Sequence, residues 1–318
     1  MRKICLDFLS KPVAVVALGT DGFGVGRSEA LAEELMDAYV AAGGNLLDSA
    51  RMYGRPEAGE YGICEAVVGR WMERRRNRAQ LVLSTKGGYP AVNGARRLDR
   101  TSLLSDLSDS LTALRTDFID LYWLHRDDPE RPVGDVVESI NALLETGHVG
   151  GIGASNWSAA RIREANAYAH LHGLRGFVGN QPQWSLARQA VNPDPTLQIM
   201  DADTYALHRE QGLVCMPFSA QAKGYFSKLL SFGEQGLSPK ARARFHVPEN
   251  VDIAHRLAEL CGRCGCSPAA LSVAWLTNQP FPTIPVVSAS SAPQLLDTLG
   301  AGDVELTQDE VRWLRAMD

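Results

Sequence analysis

The sequence predicts an α/β protein folded as a (β/α)8 barrel, the TIM-barrel architecture. Eight short apolar runs rich in β-branched residues alternate with segments of helical period. Such alternation indicates βαβ units and a parallel sheet. Eight units favour a closed barrel over an open, doubly wound sheet. Because 318 residues suffice for one such barrel, we expect a single domain over residues 1–318.

The eight predicted strands are nearly continuous apolar runs, as expected where both faces of a sheet are covered. They cover residues 13–18, 45–48, 81–85, 118–124, 149–154, 176–181, 213–218 and 283–287. The clearest helix candidates cover residues 28–44, 99–117, 132–148 and 158–173. Residues 219–250 have no strong period, so we expect an irregular excursion between the seventh and eighth strands.

Composition excludes several classes of function. A net charge of −5 and a pI near 5.8 argue against nucleic acid as a partner, since that needs a concentrated basic surface. There is no signal-like N-terminal segment and no apolar run of ~20 residues, so we expect a cytoplasmic protein without membrane contact. Cys261, Cys264 and Cys266 are closely spaced, but no second Cys or His group completes a tetrahedral site, so we expect no metal.

Ionisable and polar side chains stand at the carboxyl ends of successive predicted strands. In a barrel of this kind these ends meet at one mouth, where chemistry takes place. Each side chain alone is compatible with a surface ion pair, but their arrival at corresponding positions predicts an active site. The residues are Asp48 and Tyr53 after the second strand, Lys86 after the third, His125 after the fourth, Ser155 and Asn156 after the fifth, Gln181 after the sixth, and Phe218 and Ser219 after the seventh.

These residues carry a resemblance to a known family. Asp48 and Tyr53 in "LLDSARMYG", Lys86 in "STKGG" and His125 in "LYWLH", followed by "GASN" and "NQ", resemble the aldo-keto reductase superfamily, as does "ALGT" near the start. The likeness runs from about residue 13 to the C-terminal segment "LTQDEVRWLRAM". It implies a (β/α)8 enzyme that exchanges a hydride between a nicotinamide cofactor and a carbonyl or alcohol.

The chemistry of such a reaction gives each of the four residues a role. Hydride addition to a carbonyl leaves an alkoxide, so a proton donor must lie within hydrogen-bond reach, and Tyr53 is the natural candidate. A free phenol titrates near ~10, and we expect the Lys86 ammonium to lower that pKa. Asp48 would hold Lys86 charged and correctly aimed. His125 would orient the substrate oxygen, as a neutral imidazole beside the lysine cation.

The resemblance also assigns the cofactor side of the site. It implies that Ser155, Asn156 and Gln181 hydrogen-bond the nicotinamide carboxamide and that Phe218 stacks on the ring. Residues 219–221 would follow the pyrophosphate, with Lys223 as a phosphate partner. The full set expected to bind the cofactor is Thr20, Asp48, Ser155, Asn156, Gln181, Phe218, Ser219, Ala220, Gln221, Lys223, Ser288, Ser290, Ser291, Gln294 and Thr298.

The eighth strand departs from the family's pattern. Relatives have Gly-Ala-Ser-Arg, a later Gln and then an Asn, whereas residues 288–298 read "SASSAPQLLDT", with Ser291 in place of the Arg. A 2′-phosphate is normally bound by charged donors. Ser288, Ser290, Ser291 and Gln294 could still bind a phosphate or a ribose hydroxyl. We favour NADP(H) on the family's habit and keep NAD(H) as the alternative.

The substrate is predicted only as a small molecule. Residues expected around the mouth combine aromatic rings with polar groups, which suits either a sugar-like ligand or a broad range of aldehydes and ketones. They are Phe23, Tyr53, His125, Arg126, Asp127, Trp157 and Trp184.

Parts of the sequence also resemble two other classes of protein. A dinucleotide-binding Rossmann domain is suggested by "GTDGFGVGR", but Arg27 stands where that motif needs a small residue. A cofactor-sensing regulatory subunit on the same barrel is the other alternative, as in the resembling potassium-channel β-subunits. The sequence does not predict the oligomeric state.

Overall fold

The computed structural model describes residues 1–192 and 194–316. Its strands are β1 Lys3–Ile4, β2 Val13–Ala14, β3 Ala17–Gly19, β4 Leu46–Asp48, β5 Val82–Gly87, β6 Ile119–Leu124, β7 Val149–Ser155, β8 Gly179–Gln181, β9 Val214–Cys215 and β10 Val286–Val287. Its α-helices are α1 Glu29–Ala41, α2 Ile63–Arg75, α3 Arg100–Leu114, α4 Val133–Glu145, α5 Ala159–Leu171, α6 Ala202–Gln211, α7 Tyr225–Phe232, α8 Pro239–Phe245, α9 Pro248–Cys264, α10 Pro268–Thr277, α11 Ala292–Leu299 and α12 Gln308–Arg315. Met317, the last residue of the predicted C-terminal segment, lies outside the described residues.

The strands β3 to β10 form the predicted parallel (β/α)8 barrel. They lie in the order β10-β3-β4-β5-β6-β7-β8-β9, and every pairing between neighbours is parallel. The sheet closes where Cys215 N donates to Pro282 O and Ile284 N donates to Cys215 O, each at 2.8 Å. Closure leaves the eight carboxyl ends on one rim.

The first predicted strand is wrong in extent, because residues 13–18 form two strands rather than one. Val13–Ala14 pairs antiparallel with Lys3–Ile4, and only Ala17–Gly19 joins the barrel. The connection between β1 and β2 carries Leu6, Phe8 and Leu9, which pack against the apolar interior of the barrel. The hairpin therefore closes the end opposite the rim, which a continuous apolar run does not reveal.

The barrel interior changes from apolar to polar toward the carboxyl rim. Nine buried apolar side chains fill it: Val13, Ala17, Leu46, Val82, Leu121, Trp123, Val214, Met216 and Ile284. Above them, Trp123 Nε1 donates to Ser84 Oγ, and Ser84 Oγ donates to Asp48 Oδ1, each at 2.7 Å. Side chains alternate along a strand, so the residue two positions beyond Ser84, Lys86, also points inward.

The helices form where the sequence supplies capping residues as well as apolar residues at helical spacing. Ser28, Asp99 and Ser158 accept a hydrogen bond from the third residue of α1, α3 and α5 respectively.

The predicted excursion at residues 219–250 is largely helical, which corrects that expectation. Helices α7 and α8 have only eight and seven residues, too few to show a clear period in the sequence. Among the helices described, none is long and apolar enough to cross a membrane.

Candidate active site

Four ionisable side chains from consecutive parts of the barrel meet at the carboxyl rim. Asp48 ends β4, Tyr53 follows in its loop, Lys86 lies near the end of β5, and His125 directly follows β6. All four line one cavity of about 510 Å³. The parallel barrel brings them together because the carboxyl ends of its strands share one rim.

Asp48 and Lys86 form a buried ion pair beneath this cavity. Lys86 Nζ lies 2.5 Å from Asp48 Oδ2 and also donates to Ser49 O at 2.7 Å. Both side chains are only 2% exposed. The other carboxylate oxygen, Asp48 Oδ1, accepts from Ser84 Oγ at 2.7 Å and from Gln181 Nε2 at 3.1 Å. The carboxylate is thus fully hydrogen-bonded, as a buried charge must be.

Tyr53 lies over this pair, with Lys86 Nζ 5.0 Å from the centroid of its ring. No described residue hydrogen-bonds its hydroxyl. Burial raises the pKa of Tyr53 well above its usual value, and the Asp48 carboxylate raises it further. The expected lowering of this pKa by Lys86 is therefore wrong for this structure. The physical reason is that desolvation of the phenolate and the nearby Asp48 carboxylate outweigh the attraction of the ammonium.

His125 is held as a neutral imidazole. Burial lowers its pKa well below the usual value, and the charges of Lys86 and Arg126 lower it further. Its ring packs edge-on against Tyr53 and Tyr89, with centroids 6.0 and 5.1 Å apart. Nδ1 is buried without a partner among the described residues, which leaves Nε2 as the ring nitrogen that can reach a ligand. This neutral state agrees with the expectation from its cationic neighbour.

Three polar residues expected to bind a carboxamide line the same cavity. Ser155 Oγ donates to Gln181 O at 2.9 Å. Asn156 has a positive φ of 62° and donates from Nδ2 to His125 O at 3.1 Å. Gln181 donates one amide hydrogen from Nε2 to Asp48 Oδ1. Its second amide hydrogen and its amide oxygen bond no described side chain. These side chains are fixed by one another and by Asp48 and His125.

The loop after β9 supplies a further wall of the cavity, formed by Phe218, Ser219, Ala220, Gln221 and Lys223. Ser219 and Lys223 have left-handed backbone, with φ of 56° and 58°. The backbone N–H groups of residues 219–221 donate to no described residue. Successive free N–H groups in such a turn form a concavity suited to anions.

Five of the expected cofactor residues are not among the residues that line this cavity. Thr20 is buried and donates to Ser49 Oγ at 2.8 Å. Ser291 caps α11, and Gln294 Oε1 accepts from both N and Oγ of Ser290 at 2.8 Å. Thr298 accepts from Gln221 Nε2 at 3.3 Å. Of the expected residues in the eighth-strand segment, only Ser288 lines the cavity, while Ser291 caps α11 and Ser290, Gln294 and Thr298 bond other protein groups.

Arg27 lines the cavity, although the sequence did not identify it as a site residue. Its guanidinium donates to Asp21 O at 2.6 Å, Ser288 Oγ at 2.9 Å and Ala289 O at 3.0 Å. It thereby lies across the loop after β10, bonded to Ser288 and Ala289, and the resembling family has its arginine at position 291 of the same segment. The signal in the sequence was the cation inside the glycine-rich stretch "DGFGVGR".

The expectation that Phe23, Trp157 and Trp184 lie at the mouth of the cavity is wrong. Phe23 and Trp157 are fully buried, and Trp184 is nearly so. Trp157 packs edge-on against Phe177, and Trp184 packs edge-on against Trp275, so these rings belong to the core. Large aromatic side chains suit a core as well as a ligand surface, and the sequence pattern does not separate the two.

A second cavity of about 710 Å³ adjoins the first. The two share Tyr89, Arg126, Asn156 and Leu197 as lining residues. The expected substrate residues Arg126 and Asp127 both line this outer cavity. Tyr61, Tyr89 and residues 90–92 line it as well and were missed, because the loops after β4 and β5 bear no periodic pattern.

Comparison with known proteins gives one consistent family. The sequence profile of the Aldo/keto reductase family matches residues 15–318. An "Uncharacterized oxidoreductase YrpG" of Bacillus subtilis is 28% identical over 95% of this chain and 91% of its own length. A "Probable aryl-alcohol dehydrogenase" of Saccharomyces cerevisiae is 27% identical over 89% of this chain and 86% of its own length. A "Norsolorinic acid reductase" of Emericella nidulans is 27% identical over 94% of this chain and 76% of its own length. The chain therefore belongs to the aldo/keto reductase family and is an NAD(P)H-dependent oxidoreductase.

Proposed function

We propose that the chain, acting as one barrel domain, reduces aldehydes or ketones with NADPH, and that Tyr53 is the proton donor. The observation that carries this proposal is the buried Asp48–Lys86 pair directly under the ring of Tyr53, with neutral His125 beside it. A partly dehydrated phenol, an ammonium and a neutral imidazole in one cavity suit proton transfer to an alkoxide.

The four residues divide the work of this reaction. A bound nicotinamide supplies the hydride. The raised pKa of Tyr53 keeps its phenol protonated until negative charge develops on the substrate oxygen, and the phenol then donates its proton. Lys86 stabilises the resulting phenolate, while Asp48 keeps the ammonium in place. His125 orients the carbonyl oxygen through Nε2.

The lining of the cavity fits a dinucleotide. Ser155, Asn156 and Gln181 offer amide and hydroxyl groups beside His125, which suits a carboxamide. The N–H groups of residues 219–221 suit a pyrophosphate. Phe218 supplies a ring on the same wall.

A preference for NADPH is supported by two cations in the cavity wall. Arg27 uses three of its five N–H donors on the protein, and Lys223 Nζ bonds no described residue. Arg27 thus supplies the charged donors that Ser291 does not. A doubly charged phosphate favours such donors over neutral hydroxyls.

Aromatic carbonyl compounds are the substrates we propose. Support comes from the outer cavity, whose lining includes Tyr61, Tyr89, Pro90, Val92 and Leu197. The relative named as a probable aryl-alcohol dehydrogenase points the same way. The sugar-like alternative loses support because the tryptophans on which it depended are buried.

The decisive experiment is a fluorescence titration with NADPH and NADH, followed by addition of aromatic aldehydes to the tighter complex. We expect oxidation of the cofactor on adding aldehyde. Tyr53→Phe should lower that rate by about 10²- to 10⁴-fold while the affinity for NADPH stays within about twofold. Full turnover in Tyr53→Phe would remove Tyr53 as the acid. Binding without turnover across the aldehydes would favour the regulatory alternative.

A further inference from the structure

We propose that the substrate carries a carboxylate on its aromatic or apolar body and that Arg126 binds this carboxylate. The inference rests on the proposed carbonyl reduction and names the substrate class of the same site. Arg126 is adjacent in sequence to His125 and lines both the inner and the outer cavity. An anion held there lies beside the residue that orients the carbonyl.

The Arg126 guanidinium is fixed in place. Nη1 donates to His125 O at 2.9 Å, and Nε donates to Thr196 Oγ1 at 3.3 Å. The guanidinium also lies over the ring of Tyr89, 5.1 Å from its centroid. Tyr89 packs against His125 as well, so one aromatic ring sets the position of both. Arg126 is therefore preorganised, which lowers the entropic cost of holding a ligand.

Among the described residues, no carboxylate lies within hydrogen-bond distance of the same guanidinium. Its side chain is only 12% exposed, yet the nearest carboxylate described, Asp194 Oδ2, is 3.9 Å away. Asp194 is itself 43% exposed and accepts from the N and Oγ1 of Thr196 through its other oxygen. Two of the five N–H donors of Arg126 are used, so one on Nη1 and both on Nη2 remain. A largely buried, under-paired guanidinium with free parallel donors suits a bidentate carboxylate.

The other charged residues described around the outer cavity are less suited than Arg126 to binding a carboxylate. Arg161 and Asp127 neutralise one another through two hydrogen bonds of 3.1 Å. Glu57 and Arg96 line the cavity but are exposed, so water screens them. Arg126 is thus the lining cation that is both largely buried and without a close carboxylate among the described residues.

The experiment compares 3-carboxybenzaldehyde with its neutral methyl ester. Binding of each is measured by calorimetry in the presence of saturating NADP+, and turnover is measured separately with NADPH. We expect the wild-type protein to bind the acid at least about tenfold more tightly than the ester, since hydrogen bonds to charged groups contribute on this scale. Equal binding of acid and ester by the wild-type protein would overturn the inference, whatever variants do.

Variants then assign the effect to Arg126. Arg126→Gln should abolish the preference for the acid, and Arg126→Lys should keep part of it. Arg163 of α5 is partly exposed and paired with Glu210, so Arg163→Gln is the matched control and should keep all of it. A preference that survives in Arg126→Gln would overturn the assignment. Preferential binding of the acid without turnover of either compound would leave the anion site standing and refute the proposed reduction.

Discussion

Replacing Lys86 with Met tests whether the buried ion pair supports both folding and chemistry. The change removes the ammonium 2.5 Å from Asp48 and, of the residues that the structure describes, leaves the carboxylate with Ser84 and Gln181 as partners. Because Asp48 is 2% exposed, water does not replace the lost charge. Breaking a buried pair in this way costs about 3–5 kcal/mol, a large part of a typical free energy of unfolding.

A double variant separates the two roles of Lys86. Asp48→Asn combined with Lys86→Met removes both charges and keeps hydrogen-bonding groups for Ser84 and Gln181. We expect it to regain most of the lost free energy of unfolding, because no uncompensated charge stays buried. Turnover should remain at least about 100-fold below that of the wild-type protein, since the ammonium that stabilises the phenolate is still missing.

The assay is denaturant unfolding of the wild-type protein, both single variants and the double variant at pH 7, with single-turnover oxidation of NADPH measured on each. The double-mutant cycle gives the coupling between Asp48 and Lys86 directly. An unchanged unfolding midpoint for Lys86→Met would refute the claim that the pair holds a buried charge. Recovery of turnover together with stability in the double variant would refute the catalytic role of the ammonium.

Three further predictions concern other parts of the molecule. Arg27→Gln should weaken NADPH binding about tenfold more than NADH binding, since only NADPH carries the 2′-phosphate; equal weakening in fluorescence titrations would refute this. Burial lowers the pKa of His208 to about 4, whereas the unfolded chain takes up this proton near pH 6.5. Protonation therefore favours the unfolded chain, and the free energy of unfolding falls by about 3 kcal/mol as the pH drops from 6.5 to 4. His208→Gln should show a shallower loss over that range in pH-dependent unfolding, and an identical slope would contradict the assignment. Gly87→Ala should lower the melting temperature and turnover together. The new Cβ would collide with the Tyr122 hydroxyl, and the Gly87 carbonyl accepts the backbone hydrogen bond from His125 N. A variant as stable as the wild-type protein would contradict the close packing.

Much of the fold could be predicted because strands and long helices leave local patterns. Seven of the eight barrel strands lie within the predicted apolar runs or extend them by one or two residues, and helices α1, α3, α4 and α5 lie within their predicted segments. The first run was misread because an apolar stretch does not show where its pairing partner changes, here from β1 to the barrel. The short helices α7 and α8 were missed because seven or eight residues form barely two turns.

The candidate site could likewise be predicted only in part, for the same physical reason. Asp48, Tyr53, Lys86 and His125 could be identified in advance, since polar residues that end or directly follow apolar strands must share the rim of a parallel barrel. The positions of Arg27, Tyr89 and the partners of Arg126 depend on how long loops cross from one strand end to another. No local pattern encodes such crossings.

The sequence by itself determined the barrel, the family and the identity of the four residues proposed for catalysis, because these depend on the order of residues along the chain. Only the tertiary structure decided which aromatic rings belong to the core, as with Trp157 and Trp184, and that Arg27 lies in the cavity wall. It also decided the ionisation of the site. Burial, which raises the pKa of Tyr53 and lowers that of His125, is a property of the whole packed molecule and not of any segment.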